Sequence, residues 1–163
     1  MLVVSDTSPL SNLAIIGRLE LLREQFTEVI MPSGVARELT ALDDPNARKL
    51  LSVAQQEGWL KEMPLPISAP NPPELSGFDA GETESLRLAM ALSADHVLMD
   101  EKDGRQRATT LGIRTIGVLG VLIRARQSGG VPSLQAEIAK LSRDAGFFVD
   151  RALEARVLSM VGE

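Results

Sequence analysis

Four acidic residues of this sequence stand where an acid is conspicuous. Asp6 ends the short β-prone run Leu2-Val3-Val4-Ser5 and precedes Thr7-Ser8-Pro9, which reads as a helix cap with proline at the first helical position. Asp100 ends a second such run, His96-Val97-Leu98-Met99. In an open parallel sheet, ligands bind outside the carboxyl ends of the strands, so both aspartates occupy positions suited to chemistry. The plain alternative is turn chemistry, because Asp is common where a strand breaks into a helix. Glu38 follows Val35 and precedes Leu39 and Leu42 at helical spacing, which embeds an acid in a core-facing stripe. Burying it unpaired is expensive, and Arg37 points about 100° away, so the alternative needs a distant Arg. Glu82 lies about 40° from Leu86 and about 20° from Ala89 around a helix, on the face turned to the sheet, whereas Glu84 lies about 160° from Leu86 and should face solvent. Asp79-Ala80-Gly81-Glu82 also fits a variant capping box, with Glu82 reaching back to the Asp79 N–H.

Converging carboxylates need company. Two of them 4 Å apart repel by on the order of 4 kcal/mol at an effective dielectric near 20. Protons or a multivalent cation must offset this, and Mg²⁺ or Mn²⁺ is the natural choice for oxygen ligands at neutral pH. An acid cluster holding such an ion is suited to phosphodiester hydrolysis.

Absences narrow the field in the same direction. The chain has no cysteine and a single histidine, His96. Disulfides, thiolate nucleophiles, sulfur-liganded zinc, paired-histidine metal sites and any triad not built on His96 are excluded. The 163 residues, 44% apolar and 24% charged, suit one globular domain. The longest apolar stretches, such as residues 115–123, are too short to cross a bilayer, so a cytoplasmic protein without membrane contact is expected. The net charge of −5 does not advertise a nucleic-acid binder. However, Lys102, Arg105, Arg107, Arg114, Arg124 and Arg126 face Asp103 alone within residues 102–126, a pattern that suits either a phosphate-facing patch or a solvated helix face. One Trp, four Phe and no Tyr leave little for base stacking.

The elements that must position these residues alternate. Strands are predicted at 2–5, 28–31, 96–99 and 113–116. Helices are predicted after Asp6, over 33–42, 46–57, 79–93, 102–111 and 118–126, and then through a helical tail. Ala47, Leu50, Leu51 and Ala54 mark one buried helical face. Residues 62–77 carry five prolines and read as an extended surface connection. His96 is expected to begin a strand and pack locally; Trp59, Phe147 and Phe148 are expected to pack in the core or tail. The fold class is α/β: a three-layer α/β/α arrangement around a mainly parallel sheet, with a C-terminal helical extension. A single domain over 1–163 is expected, with an α/β core over 1–128 and the extension over 129–163.

The ordered set Asp6-Thr7-Ser8-Pro9-Leu10, Glu38, Gly81-Glu82-Thr83-Glu84 and Val97-Leu98-Met99-Asp100-Glu101 resembles the PIN-domain family of metal-dependent ribonucleases. It is closest to a bacterial and archaeal branch of predicted nucleic-acid-binding proteins. The resemblance spans nearly the whole chain, including Gly117-Val118-Leu119-Gly120-Val121-Leu122. It implies that Asp6, Glu38, Glu82 and Asp100 form a catalytic acidic quartet, with Asp6, Glu82 and Asp100 holding Mg²⁺ or Mn²⁺ and Glu38 ligating it or orienting the attacking water. Thr7 or Ser8 would support Asp6, and Asp103 would add an outer oxygen. Glu82 stands where many members carry Asp, and Gly104 where many carry an aromatic. Membership also suggests a homodimer and, for many relatives, a toxin opposed by a small antitoxin protein.

The leading expectation is a metal-dependent endoribonuclease cutting single-stranded RNA, with Lys102 and Arg105 binding substrate phosphates at the rim. The alternative is a catalytically inactive PIN-like module that binds RNA or a protein. A third reading, a phosphatase or receiver-like protein using Asp6 as phosphoryl acceptor, is weakened by Ser8 standing where a second aspartate would be needed.

Overall fold

The computed structural model describes residues 1–163. Five short strands, β1 (Val3–Ser5), β2 (Val29–Pro32), β3 (Leu60–Met63), β4 (His96–Leu98) and β5 (Thr115–Ile116), pair in parallel in the order β3-β2-β1-β4-β5. Parallel neighbours require crossover helices. These are α1 (Thr7–Ile15) and α2 (Glu20–Phe26), α3 (Ser33–Thr40) and α4 (Pro45–Gln56), α5 (Ala80–Leu92), and α6 (Lys102–Thr110). After β5 come α7 (Val118–Gln127), α8 (Leu134–Ala145) and α9 (Arg151–Met160).

Alternation along the strands divides the core in two. Val3, Val29, Met31, Leu60, Leu98 and Ile116 join the larger apolar cluster with residues of α1, α2, α4 and α7. Val4, Ile30, Val97 and Met99 join a smaller cluster with α5 and α6. The sheet is thus covered on both faces, as expected. The tail also contributes to the larger cluster through Leu134, Ile138, Leu141 and Val157. Glu137 of α8 is buried and accepts from Arg18 just beyond α1 at 2.7 Å, with Lys140 at 3.4 Å from the same oxygen.

The structure corrects several expectations. Residues 60–63 form an edge strand, and the extended connection begins after it. Lys61 and Glu62 are exposed there, so the segment lacks the apolar run that marks a central strand, and Pro64 ends it. Within the connection, Pro73–Leu75 makes a 3₁₀ turn whose Leu75 is buried. Leu50 is 40% exposed, because α4 turns only Ala47, Leu51 and Ala54 inward. Phe147 packs on the core, but Phe148 is 78% exposed, since successive residues of the non-helical segment before α9 point to different sides. Trp59 is buried, and His96 is the first residue of β4, paired with Val3.

Candidate active site

The strand order reverses between β1 and β4, and there the sheet opens at its carboxyl edge. A cleft of about 390 Å³ lies at this edge, lined by Asp6, Thr7, Ser8, Ser11, Glu38, Asp79, Gly81, Glu82 and Glu101, with no hydrophobic residue among them.

Asp6 is only 7% exposed. Its backbone N–H extends the ladder to the Leu98 carbonyl at 2.9 Å. Its side chain turns to the α5 face, where the buried Ser85 hydroxyl lies 3.2 Å from Oδ1 and 3.2 Å from the Gly81 carbonyl. Burial pushes Asp6 up from 3.8 to about 6, with Glu38 and Asp79 adding to the effect and the Thr7 N–H and Ser85 hydroxyl opposing it.

Glu82, in the first turn of α5, is half-buried and lines the cleft as its helical phase predicted. The capping-box alternative does not hold: Asp79 accepts from the N–H groups of Gly81 and Glu82 at 2.9 and 3.3 Å, but the Glu82 carboxylate does not return the bond. Burial, then the charges of Asp6, Asp79, Glu101 and Asp103, push it up to about 7.

Glu38 is exposed at the cleft rim, not buried. It sits about 60° off Val35 around the helix, at the flank of the apolar stripe, so the argument from a buried charge does not apply to it. Its Oε2 accepts from the Thr7 hydroxyl at 2.6 Å. Glu84, expected in solvent, is half-buried and accepts from the Gly34 N–H at 3.3 Å, tying α5 to the first turn of α3, the helix that carries Glu38. Gly34 permits this, because a Cβ there would fall 2.4 Å from Glu84 Oε2.

Asp100 is the predicted ligand that does not line the cleft. Asp6 follows Ser5 at the parity of Val4, whereas Asp100 falls at the parity of Leu98, so the two side chains leave the sheet toward opposite layers. Asp100 Oδ1 accepts from the Val118 N–H at 2.7 Å, at the start of α7, and Oδ2 accepts from the Ser8 hydroxyl at 3.1 Å. Burial raises its pKa against these bonds and the Arg105 charge. It remains linked to the cleft through Ser8, which also accepts from the buried Asn12 amide at 3.1 Å.

The supporting hydroxyls are therefore reassigned: Thr7 serves Glu38, Ser8 serves Asp100, and Ser85 serves Asp6. Asp103 is exposed and acts on Glu82 through its charge. Lys102 is exposed and does not line the cleft, and Arg105 lies by Gly117 on the far side of Asp100. Sequence reasoning missed Ser85, Asn12, Asp79 and Glu101 as cleft components. Ser85 could have been found as a small polar residue one turn after Glu82, and Asn12 as a polar residue at i+4 from Ser8.

Oxygen donors alone, Asp6 and Glu82 among them pushed up by burial and then by neighbouring acids, fit a hard divalent cation. Asp6 and Glu82 keep carboxylate oxygens without protein partners, and Glu38 keeps Oε1, which lies 3.2 Å from where a Gly81 Cβ would stand. No three acidic or imidazole side chains stand together closely enough to hold a metal ion in this arrangement.

These features define a parallel α/β protein with an acidic cleft at the switch point of its sheet. The PIN domain family matches residues 2–163, and the chain belongs to that family, whose members are typically nucleases that use divalent metal ions. The fold is similar to that of a PilT N-terminus domain protein from the hyperthermophilic archaeon Sulfolobus solfataricus P2, with a TM-score of 0.55 and 18% identity over 77% of this chain and 93% of that one. No curated protein matches the sequence.

Proposed function

We propose that the protein is a metal-dependent endoribonuclease that hydrolyses phosphodiester bonds of single-stranded RNA. The observation that carries this reading is Glu82: a half-buried carboxylate without a hydrogen-bond donor, raised to about 7 by burial and then by four neighbouring acids, in a cleft with no hydrophobic side chain. Such an arrangement costs the fold free energy unless a cation offsets it.

Asp6 and Glu82 would hold Mg²⁺ or Mn²⁺, with Glu38 completing the set and Asp100 acting through Ser8. The ion would supply Lewis-acid stabilisation of charge developing on the phosphodiester and lower the pKa of water. Ser85 fixes the Asp6 carboxylate, and the Thr7 hydroxyl fixes Glu38 so that its free oxygen remains available to take a proton from attacking water. The open cleft admits a flexible single strand.

Cleavage of a mixed RNA pool tests this. Activity with Mn²⁺, lost in EDTA and in Asp6→Asn, is expected; equal activity under all three conditions would overturn it. The lack of a closed cluster favours a second reading, a PIN-like module that binds RNA without cutting. Folded protein that binds RNA but gives no Mn²⁺ heat in calorimetry would establish that reading instead.

A further inference from the structure

A second concavity, of about 350 Å³, runs along the outer edge of β5 between α7 and α9. Its floor is aliphatic, with Ile116, Leu119, Ile123 and Leu153, and it is bounded by two guanidinium groups, Arg105 and Arg124. Neither lies within 4.0 Å of a carboxylate, in a chain where acids outnumber Lys and Arg by 22 to 17. The Arg124 guanidinium carbon rests 5.8 Å from the centre of the Phe26 ring, and a face-on ring leaves the N–H donors unused. Gly117, which caps α7, and Arg124 on it are seven residues apart, about 10 Å along the helix axis. That is the span of a short run of nucleotides, not of one phosphate.

The groove and the cleft share no lining residue, and Asp100 stands between them. A Cβ on Gly117 would fall 2.8 Å from Arg105 Nη1 and 2.9 Å from Asp100 Oδ1, so the guanidinium and the Asp100 carboxylate flank this glycine without pairing. Asp100 in turn bonds to Ser8 of the cleft. A chain leaving the acidic cleft at Ser8 and crossing above Asp100 would meet Arg105, then the aliphatic floor, then Arg124.

From this geometry we infer that the β5-edge groove binds the segment of single-stranded RNA flanking the cleavage point, with Arg105 and Arg124 on successive phosphates and the nucleosides on the aliphatic floor. The occupant rests on the ribonuclease reading; the groove and its charges do not. Guanidinium groups pair bidentately with phosphate. Without an aromatic platform or directed amide groups, the contact is tolerant of base identity.

The test is anisotropy of a 5′-fluorescein decauridylate on the full chain in EDTA, where nothing is cut. Arg105→Ala and Arg124→Ala should each weaken binding about ten-fold, equivalent to about 1.4 kcal/mol. Each should also reduce the slope of log affinity against log salt by about 0.7, the value for one phosphate on a single strand. Arg156→Ala, an exposed arginine of α9 outside the groove, should change neither. Methyl resonances of Leu119, Ile123 and Leu153 should shift on adding the RNA. Unchanged affinity in the Arg105 and Arg124 variants, an equal loss in Arg156→Ala, or displacement of the RNA by an equally charged oligoglutamate at the same concentration would overturn the proposal. Metal-dependent cleavage with affinity unchanged in both groove variants would sink the groove and leave the nuclease; groove-dependent binding without any cleavage would do the reverse.

Discussion

Asp6 reverts from about 6 in the folded protein to 3.8 in the unfolded chain, so the native state binds more protons between those values and stability falls as pH rises through that window. The full difference corresponds to about 3 kcal/mol. Asp6→Asn should therefore raise the melting temperature in EDTA at pH 8 and leave it nearly unchanged at pH 3.5, while abolishing cleavage; an equal shift at both pH values would contradict the assignment. Glu82 adds a second proton that a cation must displace. Mn²⁺ affinity measured by calorimetry should climb between roughly pH 5 and 8, and in Glu82→Gln the climb should weaken and end nearer pH 6. Asp100 behaves differently, because its oxygens serve Val118 and Ser8. Asp100→Ala should cost about 1–3 kcal/mol in urea unfolding without metal, by leaving buried donors unpaired, whereas Asp100→Asn keeps an acceptor for the Val118 N–H and should cost less.

Among the elements, α5 does most to assemble the site. It brings Glu82 to the cleft, Ser85 to Asp6, and Glu84 to the first turn of α3. The phase of Glu82 on this helix was legible because Leu86 and Ala89 mark its inner face. The place of Glu84 was not, since its partner is a backbone N–H of another helix and leaves no pattern in the sequence. The same limit explains Asp100: its strand-end position was readable, but its direction follows from parity along a strand whose register only the paired sheet defines. β3 escaped notice because its residues are half exposed at the sheet edge. The tail is held by an interaction of the same long-range kind. Arg18→Ala would leave Glu137 buried with only Lys140 nearby, and should lower stability by about 2 kcal/mol. Adding Glu137→Leu should recover most of that loss in urea unfolding.

For the molecule as a whole, the proposed ion would couple its binding in the cleft to folding. At a Mn²⁺ concentration 100 times the dissociation constant, stability should rise by about 2.7 kcal/mol at pH 8, and the rise should shrink at pH 5, where protons compete. A thermal shift of the same size at both pH values would place the ion elsewhere. No helix is long and apolar enough to cross a membrane. The lack of any hydrophobic side chain in the cleft walls also bears on how the proposed activity could be blocked. A small inhibitor would find no aliphatic or aromatic side chain there to shed water against, so drug-like compounds should gain little affinity from hydrophobic fit. If the proposed ion is bound, effective blockers would have to be anionic chelators, and selectivity over metalloenzymes would have to come from appendages reaching beyond the acids.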